Sequence, residues 1–324
     1  MSDIKTKLSG PDYDFLRRNP DLNGCIYLTL SGSHGYGTSI GTSDIDLRGV
    51  LVEPPNYLYG LQGYEQFEDL PTDTVIYGLK KYAALCVAAN PNALELLGTD
   101  EDCIVLQTEA GRLLRENAHL FLSLRVIGSF GNYATAQLRR FCNALCHDQY
   151  SEEEQEAHLT ATLGGQIEHF NRTYTSFGED ALRIYQDSTG MLRMDVHLEG
   201  YPVRDFVGIY GEIHNTVKTY NKLNHRNRKK DDAHLYKHAM HLIRLLITGI
   251  DILDGNGIIT KRTSEHNFLM DIRSGRYPFD EIKALAEEYQ ERFRQAAERS
   301  TLPKEPDLEK VERLMMDIYQ LTGK

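Results

Sequence analysis

No unbroken apolar run in this chain reaches the ~18 residues that a membrane-spanning helix needs, and the mean hydropathy of −0.45 predicts a protein outside the membrane. The opening residues, MSDIKTKLSGPDYDF, lack the basic, then apolar, then small-residue order of a secretory signal. Cysteine is scarce: Cys25, Cys86, Cys103, Cys142 and Cys146 are an odd, widely spread set. At 324 residues the chain is long enough to build a core without covalent staples, so reduced thiols in a cytoplasmic protein are expected. Tandem repeats and low-complexity tracts are missing. Positive charge is outnumbered, with 36 Lys and Arg against 47 Asp and Glu for a net charge of −11. That balance excludes an all-over basic coat for nucleic acid and leaves room for a local basic groove, because steering depends on where charge lies.

What is present is ordinary globular composition, 41% hydrophobic and 26% charged, which excludes disorder and collagen-like order. At ~100–200 residues per domain the length predicts two domains, or one domain with a large extension. CIYLTLS (25–31) reads as a buried strand and DIDLRGVLV (44–52) as a second, with Asp44, Asp46 and Arg48 on one face and Ile45, Leu47 and Leu51 on the other. TVIYGL (74–79) predicts a third, running into the amphipathic helix LKKYAALCVAA that stops at Asn90–Pro91. From about residue 108 the periodicity is helical, over 108–118, 129–147, 151–170, 205–223, 232–254 and 281–299. One interruption, ALRIYQ and MLRMDVHL around Asp187-Ser188-Thr189-Gly190, predicts a β-hairpin. Strands early and helices late indicate an α+β or α/β domain followed by a helical one.

The stretch that carries chemistry is Leu30-Ser31-Gly32-Ser33-His34-Gly35-Tyr36-Gly37, closing with Ser43-Asp44-Ile45-Asp46. A strand that ends at Gly32–Ser33 opens a turn whose backbone N–H groups and Ser33 hydroxyl suit an anion. Glycine at 32 lets the backbone approach a phosphate without a Cβ in the way. On the next strand the i, i+2 spacing points Asp44 and Asp46 to one side, roughly 6.5–7 Å apart. Two acids held that close call for a cation between them, and hard oxygen ligands select Mg²⁺ completed by phosphates and water. Two ions, Mg²⁺ or alternatively Mn²⁺, beside phosphate-binding amides are what nucleotidyl transfer requires. Each feature alone has a plainer reading, a solvated strand end or an ordinary loop; their order along the chain is what carries the inference.

Gly32–Ser33 followed by Asp44-x-Asp46 resembles the signature of the DNA polymerase beta-type nucleotidyltransferase superfamily. SHGYGTSIGTSDIDLRGV (33–50) is similar to its RNA-repair-pathway, polymerase-beta-like branch. Further similarity runs through NPNALELL (90–97), GYPVRDF (200–206), KHAMHLIRLL (237–246) and DIRSGRYPFDEI (271–282), so that it covers about residues 24–290. The resemblance implies an α+β fold: a small mixed sheet flanked by helices as catalytic domain (1–115), then a mainly helical substrate- and nucleotide-binding domain with a hairpin insertion (116–324). It implies transfer of a nucleoside monophosphate from a nucleoside triphosphate to an acceptor hydroxyl, with a third carboxylate as base. Asp73 is the candidate, with Glu68 and Asp69 as rivals and a turn residue as the plainer reading of Asp73.

Arg48 is expected either to pair with the aspartates or to touch a phosphate, and His34 and Tyr36 either to stack on a base or sugar or to pack inward. Lys222, Arg226, Arg228, Lys229, Lys230, Lys237 and Arg244, against Asp231 and Asp232, form the main basic island, a candidate track for RNA through residues 222–244 or a solvated turn. Lys237, His241 and Arg244 lie at i, i+4 and i+7 on one helix face, a stripe that suits a triphosphate better than a core. Tyr133, Gln137, Arg139 and Arg140 read as a solvated helix face. His234 and His238, at i and i+4, could hold a metal but have no third ligand at a convincing spacing, and Cys142 with Cys146 read as buried small hydrophobes. Asn92 is a candidate helix cap, and Glu95 is either a further metal-site acid or, more plainly, a first-turn acid complementing the helix dipole. The function expected first is an Mg²⁺-dependent nucleotidyltransferase on an RNA end. A protein or small-molecule acceptor is the second reading, and a non-catalytic nucleotide-binding module the third.

Overall fold

The computed structural model describes residues 2–149, 152–173, 181–187, 192–203, 210, 211, 213, 214, 216, 217 and 232–323. Its contacts group the chain into two compact units, one formed by Met1–Arg139 with Tyr236–Lys324 and the other by Arg140–Leu235. The grouping is not linear, because the last ninety or so residues fold back onto the N-terminal sheet, whereas the expected single division fell at 115/116. The class is α+β, as expected.

The first unit is built on five strands: β1 (Cys25–Leu30), β2 (Leu47–Leu51), β3 (Gln66–Asp69), β4 (Thr74–Gly78) and β5 (Ile104–Gln107), in the order β3-β4-β2-β1-β5. β2 and β4 run parallel, with Leu47 opposite Thr74, and the other pairings are antiparallel. Alternation along β1 and β2 sends Leu28, Leu30, Leu47 and Leu51 into one core with Leu8, Tyr13, Leu22 and Ile76. Residues of the opposite face are anchored by polar ends: Tyr27 donates to the Leu96 carbonyl (2.9 Å), and Tyr82 to that of Ala93 (2.8 Å).

β1 and β4 form close to where periodicity places them, and the second strand starts three residues later than expected, because Asp44–Asp46 run extended without ladder partners. β3 and β5 were not expected: at four residues each they are too short for alternation to register. The helix Leu79–Val87 ends before Asn90–Pro91, as expected. The cap of the following helix, Pro91–Leu97, is Asn90, whose side chain accepts from the Ala93 N–H (3.2 Å), and not Asn92. Proline at the first helical position leaves the preceding residue to cap.

Later helices are Glu109–Glu116, Arg125–Gln149, Glu152–Thr173, Asp232–Leu253, His266–Arg273, Phe279–Arg299 and Leu308–Leu321. Among the described residues none is long and apolar enough to cross a membrane. In the second unit β6 (Leu182–Gln186) and β7 (Leu192–Val196) pair antiparallel as the expected hairpin. Their cluster of Ala181 and Leu182 packs with Ile167 and Phe170 of the helix before them. The turn residues 188–190, most of the expected helix 205–223 and the basic run 222–231 lie outside the described residues, as do the side chains of Arg139, Arg140, Cys142 and Cys146.

Gly111 lies where the helix Glu109–Glu116 meets β1, and a Cβ there would collide with the Ile26 carbonyl oxygen. Alanine ordinarily stabilises a helix interior by up to ~1 kcal/mol relative to glycine. Here the backbone contact reverses the sign, and Gly111→Ala is expected to lower unfolding free energy by about 1–3 kcal/mol in urea titration. An unchanged or raised midpoint would show that the helix does not sit on β1 in this way.

Candidate active site

Asp44 and Asp46 occupy the extended run that leads into β2, and Ile45 and Leu47 alternate with them into the core. Both acids line a cavity of about 780 Å³, together with Asp12, Tyr13 and the turn Asp69–Asp73. The Gly32–Ser33 turn lies against the same edge. Ser31 N–H donates to the Asp46 carbonyl at 2.8 Å. Gly32, at φ +55°, is so close that a Cβ would collide with the Asp46 carboxylate. Ser33 is buried in the single helical turn Gly32–Gly35, whose leading amides have no acceptor within the turn.

Parallel pairing of β2 with β4 decides where the third acid sits. Leu47 faces Thr74 in register, so Asp46 and Asp73, each one residue earlier, lie side by side at the same end of neighbouring strands. Asp73 takes up a left-handed conformation, φ +44°, that aspartate tolerates better than most residues. Arg48 holds it there, donating to the Asp73 carbonyl and pairing with its carboxylate at 2.9 Å. The ion pair of Arg48 is with Asp73 and not with Asp44 or Asp46, the aspartates it was expected to pair with. Burial, then a hydrogen bond that the protonated Asp46 donates to Asp73 and the charge of Asp73, push the Asp46 carboxyl up to about 6, while Arg48 and Lys237 pull the other way.

Asp69 lines the cavity too, but its carboxylate accepts from the backbone N–H (3.2 Å) and hydroxyl (2.7 Å) of Thr72. Glu68 is exposed on the face of β3 opposite Phe67 and is bonded by the Gln66 side chain. Asp73 is therefore the acid brought to Asp46.

The cationic stripe resolves differently from expectation. Lys237 is exposed, and its charge reaches Asp46. Arg244, by contrast, is buried and bonded to Glu95 (Nη1–Oε1, 2.5 Å), with its guanidinium 3.5 Å from the centre of the Tyr36 ring. Tyr36 donates its hydroxyl to the other Glu95 oxygen at 2.7 Å, and His241 meets the Tyr36 ring edge-on at 6.0 Å. Burial pushes the His241 imidazole down to about 3, helped by the charges of Arg244 and Lys237, so it is neutral at physiological pH. Burial opposes the Arg244 charge, and Glu95 and Tyr36 outweigh it. Arg244 and His241 are thus turned into the interior against Tyr36 and Glu95, because a helix face at i, i+4, i+7 can be covered as easily as solvated. Glu95 is corrected likewise: it is the fifth residue of its helix and a buried ion-pair partner, not a first-turn acid. Tyr36 takes the inward of its two readings.

Two contacts were missed by sequence reasoning. Arg273 donates to the Thr38 carbonyl, and the Lys261 side chain lies over Gly37, so that the far end of the chain closes on the Gly–Ser turn. Arg273 sits inside the similar segment 271–282, yet no local pattern states what a distant helix docks on. In the turn itself, His34 Nε2 and Thr38 Oγ1 are buried with no hydrogen-bond partner.

Among the described residues no three His, Cys, Asp or Glu side chains converge to hold a metal ion by themselves. The donor set still fits Mg²⁺, which takes one or two carboxylates and fills its shell from water and phosphate. Oxygen donors in an acid-lined cavity, with Asp46 pressed against Asp73, are the type of site a hard divalent cation relieves.

The mixed sheet thus sets a Gly–Ser turn against a twin-acid edge. Residues 17–162, a little under half of the chain, match the family model described as RlaP, RNA repair pathway DNA polymerase beta family, so this stretch is similar to the polymerase beta-like, RNA-repair branch. The match takes in Gly32, Ser33, Asp44, Asp46 and Asp73 and ends before Lys237, His241 and Arg244. No curated protein matches the chain.

Two outcomes follow from this geometry. The folded protein holds the Asp46 proton more tightly than an unfolded chain does, with a folded value of about 6 against ~3.9 for a free side chain. The stability it contributes is therefore complete below about pH 4 and lost as pH rises through about 6. Asp46→Asn should flatten that part of a stability-against-pH curve, and a variant curve as steep as wild type would contradict the pairing. Separately, Glu95→Ala leaves Arg244 charged and buried, and urea unfolding should show a loss of about 3–5 kcal/mol.

Proposed function

We propose that the chain is an Mg²⁺-dependent nucleotidyltransferase that moves a nucleoside monophosphate from a nucleoside triphosphate to an acceptor hydroxyl, with an RNA end as the acceptor. The observation that carries this reading is the shared cavity: Asp44, Asp46 and Asp73 line it together, and Gly32 touches the Asp46 carboxylate. Asp44 and Asp46 would hold the metal, which when bound neutralises triphosphate charge and activates the attacking oxygen.

The chain's own groups account for the rest. The turn amides at Gly32–Ser33 receive phosphate oxygens where a side chain at 32 would obstruct them. Lys237 adds an exposed positive charge within reach of Asp46. Asp73 is the group beside Asp46 that takes the proton of the acceptor hydroxyl. As that oxygen bonds to the α-phosphorus, the bond from the α-phosphorus to the bridging oxygen breaks and pyrophosphate leaves. Arg48 keeps Asp73 aimed by occupying one of its oxygens.

RNA as acceptor is supported by the family's description and by the basic run 222–230. Triphosphates, RNA ends and the free thiols of Cys25, Cys86 and Cys103 are in keeping with a cytoplasmic setting. A second reading changes only the acceptor, to a protein side chain or a small molecule. Asp12 and Asp69 favour it, since these further acids line the cavity and would repel a polyanion.

Incubation with each labelled triphosphate, Mg²⁺ and RNA should extend the RNA. Asp44→Asn and Asp46→Asn are each expected to lower the rate by at least about 10²-fold, the scale on which losing a group that stabilises transition-state charge acts. Label on protein or small molecule but not RNA selects the second reading. No transfer to any acceptor, or Asn variants as active as wild type, would defeat both.

A further inference from the structure

The Gly32–Ser33 turn is short, and its two ends are tied: Ser31 to the Asp46 carbonyl, Thr38 to Arg273. Between them, Tyr36 reaches into the interior. Its backbone N–H donates to the Gly32 carbonyl at 3.1 Å, so a displacement of Tyr36 passes directly to the residue that touches Asp46. The ring is held by two contacts that share Glu95. Glu95 fixes the hydroxyl at 2.7 Å, and the Arg244 guanidinium covers the ring face at 3.5 Å while pairing with the same Glu95 at 2.5 Å. A buried ion pair adds little stability over apolar packing of equal volume, whereas hydrogen bonds and a stacked guanidinium define direction. An apolar residue at 36 would fill the space without stopping the ring from sliding or turning.

We infer that Tyr36, Glu95 and Arg244 form a positioning set that holds the Gly32–Ser33 turn at the height the triphosphate requires, without themselves touching the nucleotide. The inference rests on the nucleotidyltransferase reading above and assigns these residues a share in nucleotide affinity that packing alone would not give them. Glu95 and Arg244 come from helices distant in sequence, Pro91–Leu97 and Asp232–Leu253. Nucleotide affinity then depends on a helix that lies outside the matched stretch 17–162.

The test measures binding of Mg²⁺ with the four nucleoside 5′-(α,β-methylene)triphosphates, which cannot transfer, by calorimetry, and binding of Mn²⁺ alone by electron paramagnetic resonance. Circular dichroism confirms that each variant is folded at the working temperature. Tyr36→Phe removes one hydroxyl and should weaken the preferred analogue about tenfold, the equivalent of one net hydrogen bond, with Mn²⁺ affinity within about twofold of wild type. Glu95→Gln, which keeps an acceptor for the phenol, should fall between wild type and Tyr36→Phe. If Tyr36→Phe does not fold, the Gln variant decides by the same criterion. Analogue binding equal to wild type overturns the inference, and so does a parallel loss of Mn²⁺ and analogue, which marks general loosening. If wild type binds none of the analogues, the nucleotidyltransferase reading fails and takes this inference with it.

Discussion

Two carboxylates placed side by side at the leading ends of parallel strands set the terms for the rest of the first unit. Asp46 and Asp73 are neighbours because Leu47 and Thr74 are in register, and burial with mutual repulsion makes full ionisation of both unfavourable. The surroundings answer that strain in a limited way. Arg48 holds one oxygen of Asp73, Lys237 contributes at a distance, and the other acids of the cavity add negative charge instead of relieving it. A protein selected for stability alone would place an arginine or an apolar side chain here. A partly relieved acidic edge facing a glycine turn is in keeping with the divalent cation and triphosphate proposed for this site.

The turn opposite is fixed by parts of the chain far from it in sequence. Arg244, Lys261 and Arg273 all act on residues 36–38, through Tyr36, Gly37 and the Thr38 carbonyl respectively. These contacts lie within the unit that the C-terminal stretch forms with the N-terminal sheet. The arginines serve different ends from those their charge implies. Arg244 is spent internally on Glu95, and Arg273 on a backbone carbonyl, so the charge exposed toward the acids is left to Lys237.

Much of the site is legible in the order of residues alone. The alternation of Asp44 and Asp46 with Ile45 and Leu47 places both acids on one side, and that holds even though the ladder begins only at Leu47. Asp73 is legible as a candidate but not separable from Glu68 and Asp69. The three differ only by a four-residue strand and a tight turn that propensity does not resolve. The stripe Lys237–His241–Arg244 illustrates the opposite limit: helical periodicity states which residues share a face and says nothing about what covers it.

Local order of residue types was thus enough to indicate β1, β2 and β4, the glycine turn and the twin acids, because each rests on periods of two or 3.6 residues and on backbone freedom at one position. Which third acid joins them, which cation stays exposed and which is buried, and what anchors the turn were decided only by tertiary structure. Those outcomes depend on strand register and helix docking between segments up to 235 residues apart, such as Thr38 and Arg273, and no short-range pattern encodes such a pairing.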